Sequence, residues 1–130
     1  MNRLDHWFGA GRTETGRVRL TNQDAFAVLN DHMVWLVADG MGGHPAGDVA
    51  ARMAVTSIAR AAKASFPSGR RVIDDPSRLL SEWIIAANRE VYEQSLAKPE
   101  LTGMGTTVVA MTITCSRSPN CFFKYASPRW

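Results

Sequence analysis

Cysteine is scarce in this 130-residue chain: there are two, Cys115 and Cys121, both near the C-terminus. Their C-x5-C spacing matches neither a disulfide framework nor a zinc site, so they read as ordinary thiols. Long apolar runs are missing altogether. No stretch approaches the ~20 residues that a membrane-spanning helix needs. The start, Met1-Asn2-Arg3-Leu4-Asp5-His6, is not followed by the apolar segment of a secretory signal. A cytoplasmic location with no membrane partner is the expectation. Acidic residues are absent from 115–130, which hold Arg117, Lys124 and Arg129. Setting those three aside from the 15 basic residues leaves 12 against 12 acidic ones in 1–114, so the net charge of +3 belongs to the tail. With no basic stripe through the rest, nucleic acid is not an expected partner.

What is present is the composition of one ordinary globular domain, 45% hydrophobic and 21% charged. Ala25–Leu29 alternates Phe26 and Val28 with smaller residues, and Met33–Ala38 is apolar throughout; both read as strands. The polar Asn30-Asp31-His32 between them predicts a hairpin turn. A helix is predicted over 46–64, with Ala50, Met53, Ala54, Ile58, Ala61 and Ala62 on one face; its alanines suit close packing on a sheet. After a loop over 65–75, Asp75-Pro76 is an N-cap and first-turn pair. The helix it opens carries Leu80, Trp83, Ile84, Ala87 and Val91 inward, with Glu90 and Glu93 read as its solvated side. A third strand, rich in Thr and Val, runs from Thr106 to about Thr114. Hairpin, two helices and strand make an α+β layout with helices on an antiparallel sheet.

A hairpin turning at 30–32 sets opposite one another residues whose numbers sum to about 63. Asp24 and Asp39 form such a pair, with Cα atoms about 4.5–5.5 Å apart. Two carboxylates placed this way repel unless a cation lies between them. Hard divalent ions such as Mg²⁺ and Mn²⁺ take carboxylate, carbonyl and water oxygens, so a metal site is one reading. Two solvated turn aspartates is the plainer alternative.

The loop after Asp39, Gly40-Met41-Gly42-Gly43-His44-Pro45-Ala46-Gly47, lets backbone approach a ligand closely. It is neither of two known phosphate cradles. A dinucleotide fingerprint from Gly40 needs glycine where Pro45 stands, and a P-loop from Gly42 meets Asp48 where lysine should be. Just upstream, Arg17 and Arg19 have the guanidinium groups that clamp phosphate, though each alone also reads as a surface arginine. His44 reads first as a loop or helix-entry residue, His6 and His32 as surface or turn residues, and Trp35 and Trp83 as core.

Taken together, Arg19-Leu20-Thr21-Asn22-Gln23-Asp24, Val37-Ala38-Asp39-Gly40-Met41-Gly42-Gly43-His44 with Gly47 and Ala50-Ala51, and Gly103-Met104-Gly105-Thr106-Thr107 resemble the PPM-type (type 2C) metal-dependent serine/threonine protein phosphatases of bacteria. The three motifs stand in the family's order and spacing from about Gly9 to Met111. The resemblance implies an α-β-β-α sandwich, two antiparallel sheets flanked by helices, of which this chain is the N-terminal part. It implies a two-metal centre of Mn²⁺ or Mg²⁺ with Asp39 bridging, Gly40 giving its backbone carbonyl and Asp24 holding the second ion. Arg19 would clamp the substrate phosphate. The implied reaction is hydrolysis of phosphoserine and phosphothreonine on proteins by a metal-activated water, the substrates being products of a bacterial serine/threonine kinase. Met41 stands where some relatives place a histidine proposed as general acid.

The later aspartate-bearing motifs of the family have no counterpart here, so the metal centre is expected to be incomplete. Residues 1–114 read as a partial phosphatase domain. Residues 115–130 read as a divergent basic tail, out of frame or disordered, which would leave the 106–114 strand with an unpaired edge. The alternative function is a catalytically inactive fragment that binds phosphoproteins.

Overall fold

The hairpin forms in the register read from the sequence. In a computed structural model that describes residues 7–41, 46–66, 75–115 and 121–126, β1 (Asp24–Leu29) and β2 (Val34–Met41) pair antiparallel with Asp24 opposite Asp39 and Leu29 opposite Val34. A 3-10 turn over Asn30–His32 joins them. Met33 does not begin the strand: it closes the turn in the left-handed region at φ 53°, and its N–H donates to Asn30 O at 3.2 Å. At its other end β2 runs three residues further than the apolar run, through Asp39, Gly40 and Met41. The reason is pairing with β3 (Gly105–Cys115), whose first residue stands opposite Met41. Hydrogen bonding to a neighbour, not side-chain apolarity, sets where this strand stops.

Two helices connect β2 to β3. The first, α1 (Ala46–Ser65), buries Ala50, Ala51, Ala54, Ile58 and Ala62. Alanine along this stripe lets the helix axis come close to Leu36 and Ala38 of the sheet. The second, α2 (Pro76–Ala97), opens as its cap residues demand: the Asp75 carboxylate accepts from Arg78 N at 3.0 Å, and Pro76 takes the first turn. Its inward face is Leu80, Trp83, Ile84, Ala87 and Val91. Trp83 meets Phe66 edge-on, ring centres 6.1 Å apart. Glu90 is more than a solvated residue, although its side chain stays 41% exposed. It is half-buried between the helices, accepting from Ser57 Oγ at 3.0 Å and pairing with Arg60 at 2.6 Å. The 65–75 loop falls largely outside the described residues, as do His6 and His44.

The sheet is a four-stranded antiparallel meander, β1-β2-β3-β4. Its fourth member, β4 (Cys121–Ala126), lies in the stretch read as a divergent tail. It pairs with β3 from Cys115 opposite Cys121 to Ala110 opposite Ala126. The expected open edge of the third strand is therefore covered over 110–115. Among the described residues it stays open over 105–109.

Both helices lie on one face of the sheet, over Val34, Leu36, Ala38, Val108 and Ala110, all at most 3% exposed. The described residues thus supply one sheet and one helix pair of the expected sandwich. The opposite face carries Val37, Val109 and Met111, exposed, and Trp35, half-buried. The segment around Gly9–Thr13 crosses part of it. Asn30 anchors that segment: its side chain accepts from Gly9 N and Trp35 Nε1, both at 2.9 Å, and donates to Gly9 O at 3.2 Å.

Candidate metal centre

One end of this sheet gathers all three sequence motifs. β1 begins there with Asp24, and β2 carries Asp39 on the adjacent position facing the same side. Both carboxylates are exposed, and among the described residues neither has an ion-pair or hydrogen-bond partner for its side chain. Among the described residues no ion pair offsets their repulsion. That donor set suits a hard divalent cation. Among the described residues no third His, Cys, Asp or Glu joins them in a group able to hold a metal.

Backbone packing fixes the pair in place. Gly40 N donates to Gln23 O at 3.1 Å, tying the residue after one aspartate to the residue before the other. A Cβ on Gly40 would lie 2.0 Å from Gly47 O, and one on Gly47 would lie 2.9 Å from Gln23 Oε1. The start of α1 is thus seated directly on β2, at a distance only two glycines allow. Asn22 shapes the entry to β1: its Oδ1 accepts from Asp24 N at 3.0 Å, and its amide donates to Thr13 Oγ1 at 2.8 Å.

The third motif acts on Asp39 through its backbone. Thr106 is 3% exposed and its hydroxyl donates to Asp39 O at 2.9 Å. Sequence reading placed Thr106 and Thr107 at a strand start and gave them no task; nor did it assign one to Gln23, Asn22 or Gly47. The signal available was a hydroxyl residue directly after the glycine that starts the neighbouring strand.

Arg19 shares a depression with Asp39 but not with Asp24. With Leu20, Thr21, Gln23, Asp39, Gly40 and Met41 it lines an open depression of about 540 Å³. Arg17 sits in the turn following Gly16 and does not line it. Leu20 is 98% exposed and Met41 50%, so the walls mix one cation, one anion and apolar surface. Of the candidate residues, the fold sets Asp24 opposite Asp39 and places Asp39 and Gly40 in one depression with Arg19. Trp83 is buried as expected, whereas Trp35 is half-buried on the outer sheet face.

Residues 13–122 match the sequence profile of Protein phosphatase 2C. A serine/threonine phosphatase, stp, of Listeria monocytogenes is 37% identical over 109 residues, which are 82% of this chain and 42% of that protein. PstP of Mycobacterium tuberculosis, a serine/threonine protein phosphatase, is 33% identical over 108 residues, 83% of this chain and 20% of that one. Among solved structures, the catalytic domain of PstP in complex with two manganese ions superposes with a TM-score of 0.68 at 30% identity, over 80% of this chain and 42% of that domain. The chain therefore spans about two fifths of the length of stp and of the PstP catalytic domain.

Proposed function

The chain belongs to the protein phosphatase 2C family, and on that footing we propose that its sheet end is the metal- and phosphate-binding part of a phosphoprotein phosphatase. In this reading Asp24, Asp39 and the main-chain carbonyl of Gly40 hold Mn²⁺ or Mg²⁺. Arg19 grips the phosphate of a phosphoserine or phosphothreonine on a protein, the product of a serine/threonine kinase in the cytoplasm. One observation supports the reading: two carboxylates stand opposite each other across a hairpin, with no cationic side chain paired to either among the described residues, and one of them, Asp39, shares a depression with Arg19. Residues 1–114 are the unit that carries the chemistry, with β4 completing part of the sheet edge.

A bound divalent ion supplies charge neutralisation at the phosphate and an activated water at neutral pH. The chain's own groups do the rest. Arg19 presents a planar fork that matches two phosphate oxygens and orients the phosphoryl group against the acid pair. Gln23, Gly47 and Thr106 hold the backbone on which Asp39 and Gly40 sit, so the ligands need little reorganisation when an ion binds. With two carboxylates and one carbonyl, affinity is expected to be weak.

The test is Mn²⁺-dependent hydrolysis of p-nitrophenyl phosphate by the purified chain, with Asp39→Asn as the control. Turnover that the substitution abolishes supports the enzyme. Absence of turnover in a protein that melts cooperatively and retains a phosphothreonine peptide through Arg19 supports the second reading, a phosphoprotein-binding module.

A further inference from the structure

The sheet brings the two cysteines together. β3 and β4 pair antiparallel with Cys115 directly opposite Cys121, at the end of the ladder. Their spacing in the chain gave no reason to couple them; the register does.

The kind of pair they make follows from hydrogen bonds elsewhere in the sheet. A strand residue aims its N–H and C=O to one side, and the side alternates from residue to residue. Gly40 N donates to Gln23 O at 3.1 Å, so Gly40 bonds toward β1 and the odd-numbered residues of β2 bond toward β3. Their partners, Thr107 opposite Asp39, Val109 opposite Val37 and Met111 opposite Trp35, therefore bond toward β2. Ile113 N donating to Met33 O at 3.1 Å extends the same phase. Cys115 follows it, whereas Ala110, Thr112 and Thr114 bond toward β4. Cys115 and Cys121 are thus a non-hydrogen-bonded pair, whose Cα atoms stand about 4.5 Å apart. Disulfides span Cα separations of about 4.4–6.8 Å, and residues directly opposite share one face of the sheet.

We propose that Cys115 and Cys121 are a reversible cross-strand disulfide site, closed by exchange with a small-molecule disulfide and clasping β4 to β3. One cysteine thiolate attacks the small disulfide, forming a mixed disulfide and releasing one thiol. The second cysteine then attacks the protein sulfur of that bond, closing the link and releasing the other thiol. Two electrons pass from the cysteine pair to the small disulfide, and each released thiol takes up a proton. Residues 115–130 hold no acid, and Arg117 stands two places from Cys115, a sequence setting that favours the attacking thiolate. In a reducing compartment the pair rests as thiols and closes when the oxidant rises.

The test equilibrates the whole chain with mixtures of reduced and oxidised glutathione, blocks free thiols and digests with trypsin. Cleavage after Arg117 falls between the two cysteines, so only a disulfide keeps their peptides joined. Closure should occur within single molecules, with an equilibrium constant at least tenfold greater than in denaturing urea, where the register is lost. Cys121→Ser should leave Cys115 with glutathione attached and no joined peptide. In the closed chain the amides of Ala110, Thr112 and Thr114 should exchange at least fivefold more slowly than in the reduced chain. Those of Val109 and Met111, bonded toward β2, should change less than twofold. The proposal is overturned if both cysteines stay free or carry only glutathione, if the link joins two molecules, if closure is as favourable in urea, or if exchange at 110, 112 and 114 does not slow.

Discussion

The hydroxyl of Thr106 donates to the main-chain carbonyl of Asp39 across the β2–β3 pair at 2.9 Å. Residues 67 apart in the chain are joined at the point where the acid pair projects. The bond runs from a buried side chain to the backbone under an exposed carboxylate, so it positions that carboxylate without competing for its oxygens. A short glycine-threonine motif at the start of one strand therefore acts on the functional end of its neighbour.

Replacing Thr106 by valine keeps the shape and removes the donor. The expected cost is about 1 kcal/mol of stability, read from urea unfolding, with Mn²⁺ affinity falling several-fold. Thr106→Ser should restore most of both. An affinity unchanged in the valine variant would mean that Asp39 needs no such hold.

Gly40 tolerates no side chain. A Cβ there would sit 2.0 Å from Gly47 O, a backbone atom at the start of α1 that cannot swing aside. Gly40→Ala is expected to lose about 2–3 kcal/mol, the upper range for overpacking. Gly16→Ala offers a contrast: φ there is +75°, but nothing lies within 4 Å of the added methyl, so about 1 kcal/mol of backbone strain is the whole expected effect. Chemical denaturation of the two variants side by side checks the difference.

Much of this arrangement was legible in the sequence because local rules happened to agree with the global fold. The turn at 30–32 set the hairpin register, and the register put Asp24 against Asp39. Asp75-Pro76 opened α2 where cap chemistry requires. The features that escaped are those made by distant segments. β2 runs to Met41 because β3 pairs with it there, a fact invisible in the apolar pattern of 34–38. Glu90 joins the contact between the helices because Ser57 and Arg60 of α1 reach it. In the tail, β4 forms within the stretch whose composition read as divergent, since a strand needs only a backbone edge to pair with. The acid pair was found from spacing, but the backbone contacts that hold it were not.

Asn30 links the turn to the N-terminal segment through Gly9 and to Trp35. Asn30→Ala removes all three hydrogen bonds and leaves the Trp35 indole N–H without its acceptor. A loss of about 1–3 kcal/mol is expected, together with faster tryptic cleavage after Arg12 as the segment detaches. Asn30→Asp keeps the acceptor for Gly9 N and Trp35 and should fall between.

Arg19→Ala should weaken retention of a phosphothreonine peptide or raise KM at least tenfold, with Mn²⁺ affinity unchanged within twofold. Arg17→Ala, outside the depression, should change neither. Equal effects from both arginines, measured by peptide titration, would point to general positive charge in place of a clamp.

The central claim is that the facing carboxylates of Asp24 and Asp39 are a cation site. Like charges directly opposite on a sheet cost up to about 1 kcal/mol, so the account makes two opposed expectations for one substitution. Thermal melts of the chain and of Asp39→Asn, each with and without millimolar Mn²⁺, read both at once. Without metal, Asp39→Asn should melt higher than the unaltered chain, because a repulsion has been removed; with Mn²⁺, only the unaltered chain should gain. A variant that melts lower without metal, or gains as much from Mn²⁺ as the unaltered chain, would contradict it.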